Sequence, residues 1–300
     1  MNAALHDLDV RRLTGSLGAE VRGIALSSIT EEQAKHIKSL LLDHQVLFFR
    51  DQHLSQDEHV AFGSHFGELE SHPHLGMSGG RPEIFELHAV GGEGAVADEW
   101  HSDLTCMEHP SSFSILQAVK CPSFGGDTMW NNAYKAYEAL SEPMKTLCDG
   151  LTALHDASPH GRPQDMAIHP VVRVHPETGR KSLFVNEHFT RRIVELRHDE
   201  SAMLLPYLTR WITQPQFGVR YHWSEGTVAF WDNRCTQHCV LNDFEGERII
   251  QRVTIMGDTP QAATPSDWQP SIKTLSAASH RDWQLQNFLK AQDDKASDAH

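Results

Sequence analysis

No run of apolar residues in this chain approaches the roughly 20 that a membrane-crossing helix needs, so no transmembrane helix is expected. Cysteine is scarce: there are five, an odd number with no regular spacing. That argues against a disulfide framework and for reduced thiols in a cytoplasmic protein. Positive charge is also short, with 26 Lys and Arg against 40 Asp and Glu and a formal net charge of −14. A broad basic face for nucleic acid or anionic membrane is therefore not expected, although a few buried arginines could still capture a small anion. Met1 to Arg12 carries acidic residues and no apolar core, so it does not read as a signal peptide. No internal repeat and no Gly/Ser linker divides the chain. Residues 1–260 read as one domain and 261–300 as a polar, alanine-rich extension with a helix near His280–Gln292.

What is present is an ordinary globular composition, 39% hydrophobic and 22% charged. The first 50 residues read strand, strand, helix, strand. Thr30–Gln33 and Ser55–Glu58 fit capping boxes that open helices. Afterwards short strands dominate, at Glu83–Leu87, Ser112–Ala118, Thr128–Trp130, Val171–His175, Leu183–Asn186, Gly218–Trp223, Thr227–Trp231 and Ile249–Met256. Helices are expected at Ala133–Leu140, Pro143–Gly150 and Glu200–Thr213. Many short strands with turn chemistry between them predict a mainly β fold, a sandwich or jelly roll with flanking helices.

Histidine is abundant, 21 of 300, which makes a search for metal ligands worthwhile. In Trp100-His101-Ser102-Asp103, a strand would send the imidazole of His101 and the carboxylate of Asp103 to one face. A second imidazole, His238, follows the strand Val228–Trp231 and the turn Asp232-Asn233-Arg234. Two histidines and one carboxylate on one side of an ion leave other positions open, as Fe(II) oxygenases require. Taken alone, His-x-Asp is a weak signal, and His72, His74, His155, His169 and His175 are also available. A zinc knuckle from Cys235, His238 and Cys239 is a further option, but it lacks a matching cysteine pair. Arg248 and Arg252, four apart in a strand-like run, fall on one face. A strand arginine pair is commonly a solvated salt bridge; here the metal motif ten residues upstream favours anion capture.

Several ordered stretches, Trp100–Asp103, Gly125-Gly126-Asp127-Thr128, Trp231–His238, Arg248 and Arg252, together resemble the taurine dioxygenase family. His169–Arg173, His175-Pro176, Gly179 and Phe184–Glu187 add to the likeness, which runs from about Leu13 to Pro260. The resemblance implies a double-stranded β-helix (jelly roll, cupin-like) and Fe(II) held by His101, Asp103 and His238. It also implies 2-oxoglutarate and O2 as co-substrates, with release of succinate and CO2. Thr128 and Arg248 would bind the far carboxylate of 2-oxoglutarate. His72, Phe189 and Arg252 would line the site of a small anionic substrate, and a dimer or tetramer would be usual. Trp231 reads equally as a site wall or as core, and Asn186-Glu187 as turn residues.

The likeness points to a sulfonate or alkyl sulfate substrate, with an aryloxyalkanoate as the alternative within the family and a catalytically silent metal-binding module as the alternative outside it. Ala97, Leu75 and Ala157 stand where the taurine pattern has an asparagine, an aromatic residue and a phenylalanine. The segment Ala157–Ile168 is also shorter than the lid insertion of taurine-binding members. Taurine itself is therefore not the expected substrate.

Overall fold

Both capping boxes form. Thr30 accepts the N–H of Gln33 on its hydroxyl and receives the Gln33 side-chain oxygen on its own N–H. Ser55 and Glu58 pair in the same reciprocal way. Each box satisfies two N–H groups that a helix start leaves orphaned. The computed structural model describes residues 8–71, 81–91, 97–272 and 283–298.

Along the chain, β1 (Asp9–Arg12) and β2 (Ala19–Arg22) precede α1 (Glu31–His44), β3 (Val46–Phe49) and α2 (Gln56–Ser64). Then come β4 (Phe85–Val90), β5 (Phe113–Lys120), β6 (Thr128–Asn132), α3 (Ala133–Glu138) and α4 (Glu142–Asp149). The middle holds β7 (Thr152–Ala157), β8 (Arg162–Pro170), β9 (Val172–Val174), β10 (Lys181–Leu183), β11 (Thr190–Ile193) and α5 (His198–Ile212). The last stretch is β12 (Gly218–Tyr221), β13 (Val228–Asp232), β14 (Thr236–Val240), β15 (Glu247–Ile255), β16 (Gln261–Ala262) and α6 (Trp283–Asp298).

A seven-stranded sheet, ordered β1-β2-β3-β13-β5-β15-β4, is the backbone of the fold. Its strands alternate, so each face has its own core. Leu47, Phe49, Ile115, Phe230 and Ile255 on one face pack with Ile37 and Leu41 of α1 and Phe62 of α2. Phe48, Leu116, Ala229, Trp231 and Ile250 on the other meet Trp130, Val219 and Tyr221 of the small sheet β12-β6-β14. Helices, large sheet and small sheet thus stack in three layers, a jelly roll with helices outside. Two further three-stranded sheets, β10-β9-β16 and β11-β7-β8, enclose a core with α3, α4 and α5. Within α6, Leu285 is buried against Leu154 and Val194.

One expectation is corrected. The His-x-Asp segment is not a strand: only His101 makes a β-bridge, and the chain turns at Asp103, with Leu104 in the left-handed region at φ 55°. The segment after Ala157 is a β-hairpin, β7 paired with β8 across the turn Ser158–His160.

Buried neutral histidines give this fold an acid limit. His59 and His169 are both held down at about 4 by burial, against an ordinary 6.5. In the unfolded chain they take up protons below about 6.5, and in the folded chain only below about 4. Each therefore contributes stability above pH 6.5 that is lost as pH falls toward 4, about 3 kcal/mol apiece. Glu70, raised to about 7 by burial, opposes this in part of the same range. For metal-free protein, the melting temperature is expected to fall steeply from pH 6.5 to 4 and to change little from pH 7 to 8. A flat profile down to pH 4 would contradict the neutral state of these histidines.

Candidate metal and co-substrate site

β14 crosses the small sheet with His238 at its middle, opposite Trp130 of β6. Across its free edge lies His101, and the two backbones exchange hydrogen bonds of 3.0 and 2.8 Å. Directly opposed residues of an antiparallel pair send their side chains to one side, and the two imidazole rings lie 4.1 Å apart. Nδ1 of His101 is 2.8 Å from the carbonyl of Glu99. A carbonyl only accepts, so Nδ1 carries the proton and Nε2 presents its lone pair to the cavity. The turn at Leu104 brings Asp103 in from below. Its Oδ1 is 3.9 Å from Nε2 of His101 and 4.0 Å from Nε2 of His238. The three residues are 4–5% exposed, and their ligand atoms all lie within 4.8 Å of one another.

The protonation state suits a divalent ion. Burial lowers both histidines below their ordinary value, His238 strongly because His101 adds to the effect. Burial alone would raise Asp103; the Arg252 guanidinium opposes it, and the carboxyl is held well below the usual range. Two neutral imidazoles and one carboxylate are the form in which these groups ligate metal, and the donor set fits Fe(II).

Asp103 is braced from behind. Its Oδ2 takes the Ser114 hydroxyl at 2.7 Å, and Ser114 in turn accepts the Asn233 amide at 2.8 Å. Oδ1 of Asn233 accepts the indole N–H of Trp231 at 2.9 Å and the backbone N–H of Asp103 at 3.3 Å. Trp231 is thus both core and brace, with its ring 4.8 Å from His238. Sequence reasoning assigned no role to Ser114 or Asn233. Asn233 at least stands inside the Trp231–His238 stretch.

In a second cluster, His175, Asp232 and Cys235, the possible ligand atoms also lie within 4.8 Å of one another, but these groups are spent. Asp232 accepts Arg234 through Nε, Nη2 and the backbone N–H, and His175 Nε2 lies 2.9 Å away. His175 Nδ1 accepts two backbone N–H groups. This is a structural knot under the turn that joins β9 to β10. The cysteine option for zinc also fails: the Cys239 thiol turns to the Asp98 carbonyl, and neither metal-capable group among the described residues contains Cys239.

On β15, Arg248, Ile250 and Arg252 face the interior, where Ile250 joins the tryptophan core. Arg248 is 4% exposed, and it makes no hydrogen bond or ion pair with any described residue. Its Nη2 is buried without a partner. A buried guanidinium without a counter-ion is costly and marks a place prepared for an anion. Beside it runs the Gly125-Gly126 turn, both residues at positive φ. A Cβ on Gly126 would press to 3.4 Å from Cδ of Arg248, and one on Gly125 would meet the Asp243 carbonyl oxygen at 2.3 Å. The positive φ of both residues and the Asp243 clash at Gly125 make glycine the fitting residue in this turn, which lies against the arginine. Two residues on, Thr128 is buried. Its Oγ1 accepts the Trp223 indole N–H at 3.0 Å, leaving the hydroxyl proton for another acceptor.

Arg252 reaches the same cluster directly, with Nη1 2.7 Å from Oδ1 of Asp103, while its buried Nε has no hydrogen-bond partner among the described residues. Phe189, 3% exposed, packs with Cys106 and Ala157 and lies 6.4 Å from the His101 ring. Asn186 caps that turn and also reaches Thr105 beyond the Asp103 turn. Ala97 is in the left-handed region, φ 70°, a conformation asparagine tolerates better than alanine. His72 and Leu75 lie outside the described residues.

With this geometry in place, the comparisons agree on one family. The model of the family described as "Taurine catabolism dioxygenase TauD, TfdA family" matches residues 9–254. The chain is 38% identical to an alkylsulfatase of Acinetobacter baylyi, over 95% of this chain and 97% of that protein. It is 35% identical to an alpha-ketoglutarate-dependent sulfate ester dioxygenase of Pseudomonas putida, over 85% and 91%. A crystal structure of a taurine dioxygenase from Burkholderia xenovorans superposes with a TM-score of 0.79 at 36% identity, covering 91% of this chain and 97% of that one. The chain therefore belongs to the taurine catabolism dioxygenase TauD/TfdA family.

Proposed function

We propose that this protein is an Fe(II)- and 2-oxoglutarate-dependent dioxygenase acting on a small organic sulfate or sulfonate at the carbon next to the anionic group. The observation that carries the reading is the pairing of a deprotonated His101/Asp103/His238 cluster with Arg248, a buried cation that has no counter-ion among the described residues. Bound iron would supply O2 activation, with 2-oxoglutarate as the co-reductant that leaves as succinate and CO2. The residues of the chain bind and orient. Arg248 offers a fork to the far carboxylate of 2-oxoglutarate, and Thr128 its free hydroxyl proton. Arg252, beside the ligand set, offers charge to the sulfate or sulfonate, and Phe189 with Trp231 supplies apolar walls that exclude water. Hydroxylation of the carbon bearing a sulfate ester gives a product that collapses to an aldehyde or ketone and releases sulfate. The same reading extends to a single catalytic domain over residues 1–260 with residues 261–300 as an appendage, and to a cytoplasmic dimer or tetramer.

The small Ala157 beside Phe189, and the alkylsulfatase and sulfate ester dioxygenase among the relatives, favour an alkyl sulfate over taurine. A panel of alkyl sulfates, alkyl sulfonates, taurine and aryloxy acids, read by coupled succinate release, tests this. Alkyl sulfates should give the highest kcat/KM; an aryloxy acid at the top would overturn the sulfate reading. In the same assay Arg252→Ala should weaken the anionic substrate by roughly 1.5–3 kcal/mol, a charge-assisted hydrogen bond's worth. The affinity for 2-oxoglutarate should change less, and the opposite ranking would remove Arg252 from the substrate site.

A further inference from the structure

The two oxygens of Asp103 have different surroundings. Oδ1 faces Nε2 of both histidines and takes Nη1 of Arg252. Oδ2 faces the opposite way, onto the Ser114 hydroxyl at 2.7 Å. Ser114 is fully buried at the centre of the large sheet, between Trp231 of β13 and Thr254 of β15. The interior face of β5 shows Ser114, Leu116 and Ala118, so this hydroxyl is the polar group among them. Its direction is set by its neighbours. The Asn233 amide donates to Ser114, so the Ser114 proton goes to Asp103. Asn233 cannot reverse, because its oxygen already accepts the Trp231 indole and the Asp103 N–H, both of which only donate.

We propose that Ser114 is a positioning residue that confines Asp103 to one-oxygen metal ligation. The inference deepens the proposed function and rests on it. A carboxylate that chelated an ion through both oxygens would occupy a fourth coordination position. Of six positions, three must stay open: two for the keto acid's chelating oxygens and one for O2. With its proton on Oδ2, Ser114 would have to give up a buried charge-assisted hydrogen bond before Asp103 could chelate. The Asn233–Trp231 pair prevents the hydroxyl from turning away. Ser114 stands on β5, Trp231 on β13 and Asn233 in the β13–β14 turn, so the constraint on Asp103 is anchored in the large sheet.

The test uses the full-length protein loaded with Co(II), whose visible absorption reports coordination number. Ser114→Ala should bind Co(II) as tightly as the parent or tighter, change the absorption intensity, and bind 2-oxoglutarate at least about tenfold more weakly. Ser114→Thr, which keeps the hydroxyl, should restore both the spectrum and the affinity. Thermal unfolding of each variant confirms that it is folded. If Ser114→Ala loses Co(II) and 2-oxoglutarate affinity in parallel, or keeps 2-oxoglutarate affinity with an unchanged spectrum, the residue is structural only and the proposal is wrong. If the parent protein binds no Co(II), or His101→Ala binds it equally well, the metal reading fails and the inference falls with it. The parent and His101→Ala titrations thereby separate the two kinds of failure.

Discussion

Replacing His101 with alanine is expected to abolish Fe(II)-dependent succinate formation. Loss of a residue that merely supports a ligand commonly costs 10–100-fold, so loss of the ligand should exceed about 100-fold. The side chain is 5% exposed and its Nδ1 is committed to the Glu99 carbonyl, so Nε2 has no evident task except ligation. The His101→Ala protein should still fold, because the bridge to His238 is made by the backbone and survives the change. Its circular dichroism should match the parent and its Fe(II) stoichiometry should fall. Full succinate formation in this variant would refute the ligand assignment.

The second large effect is at Arg248. Arg248→Gln removes the cation proposed to bind the far carboxylate, and 2-oxoglutarate affinity should fall by about 2–4 kcal/mol, roughly 30- to 1,000-fold. A second consequence is less intuitive. The guanidinium is 4% exposed and has no described hydrogen-bond or ion-pair partner, so it burdens the protein without co-substrate. Glutamine should leave stability unchanged or raise it by about 1–2 kcal/mol. Calorimetry of 2-oxoglutarate binding and thermal unfolding of the same sample measure the two together. Lower affinity with equal or higher stability is the signature of a functional cation. Lower stability with unchanged affinity would make Arg248 a structural residue.

Much of this was legible in the sequence, for identifiable reasons. The capping boxes at Thr30 and Ser55 are local, four-residue arrangements, and both formed as read. The meeting of His101, Asp103 and His238 was legible because few residue types bind iron, and because Trp231–His238 places an imidazole just past a strand of strong apolar character. Pairings between distant segments were not legible. β14 has a mixed sequence, Thr-Gln-His-Cys-Val, and is a strand because β6 accepts its backbone. β8 begins Arg-Pro-Gln-Asp and becomes a strand through its pairing with β7. The supposed strand at His101–Asp103 failed because Leu104 takes a left-handed conformation, a strain that leucine does not advertise and that functional sites often carry. Ser114 looks like any serine in an apolar strand until Asp103 is seen against it. That Arg248 has no counter-ion among the described residues is a property of three-dimensional surroundings, invisible in a list of residues.

The position of a bound metal tests the ligand assignment most directly. Anomalous diffraction from crystals grown with Mn(II) and 2-oxoglutarate would locate it. The expected result is one strong peak at bonding distance from Nε2 of His101, Nε2 of His238 and Oδ1 of Asp103, with the co-substrate's far carboxylate on Arg248. A peak at the His175, Asp232 and Cys235 cluster instead, or an empty pocket in well-ordered crystals, would contradict it.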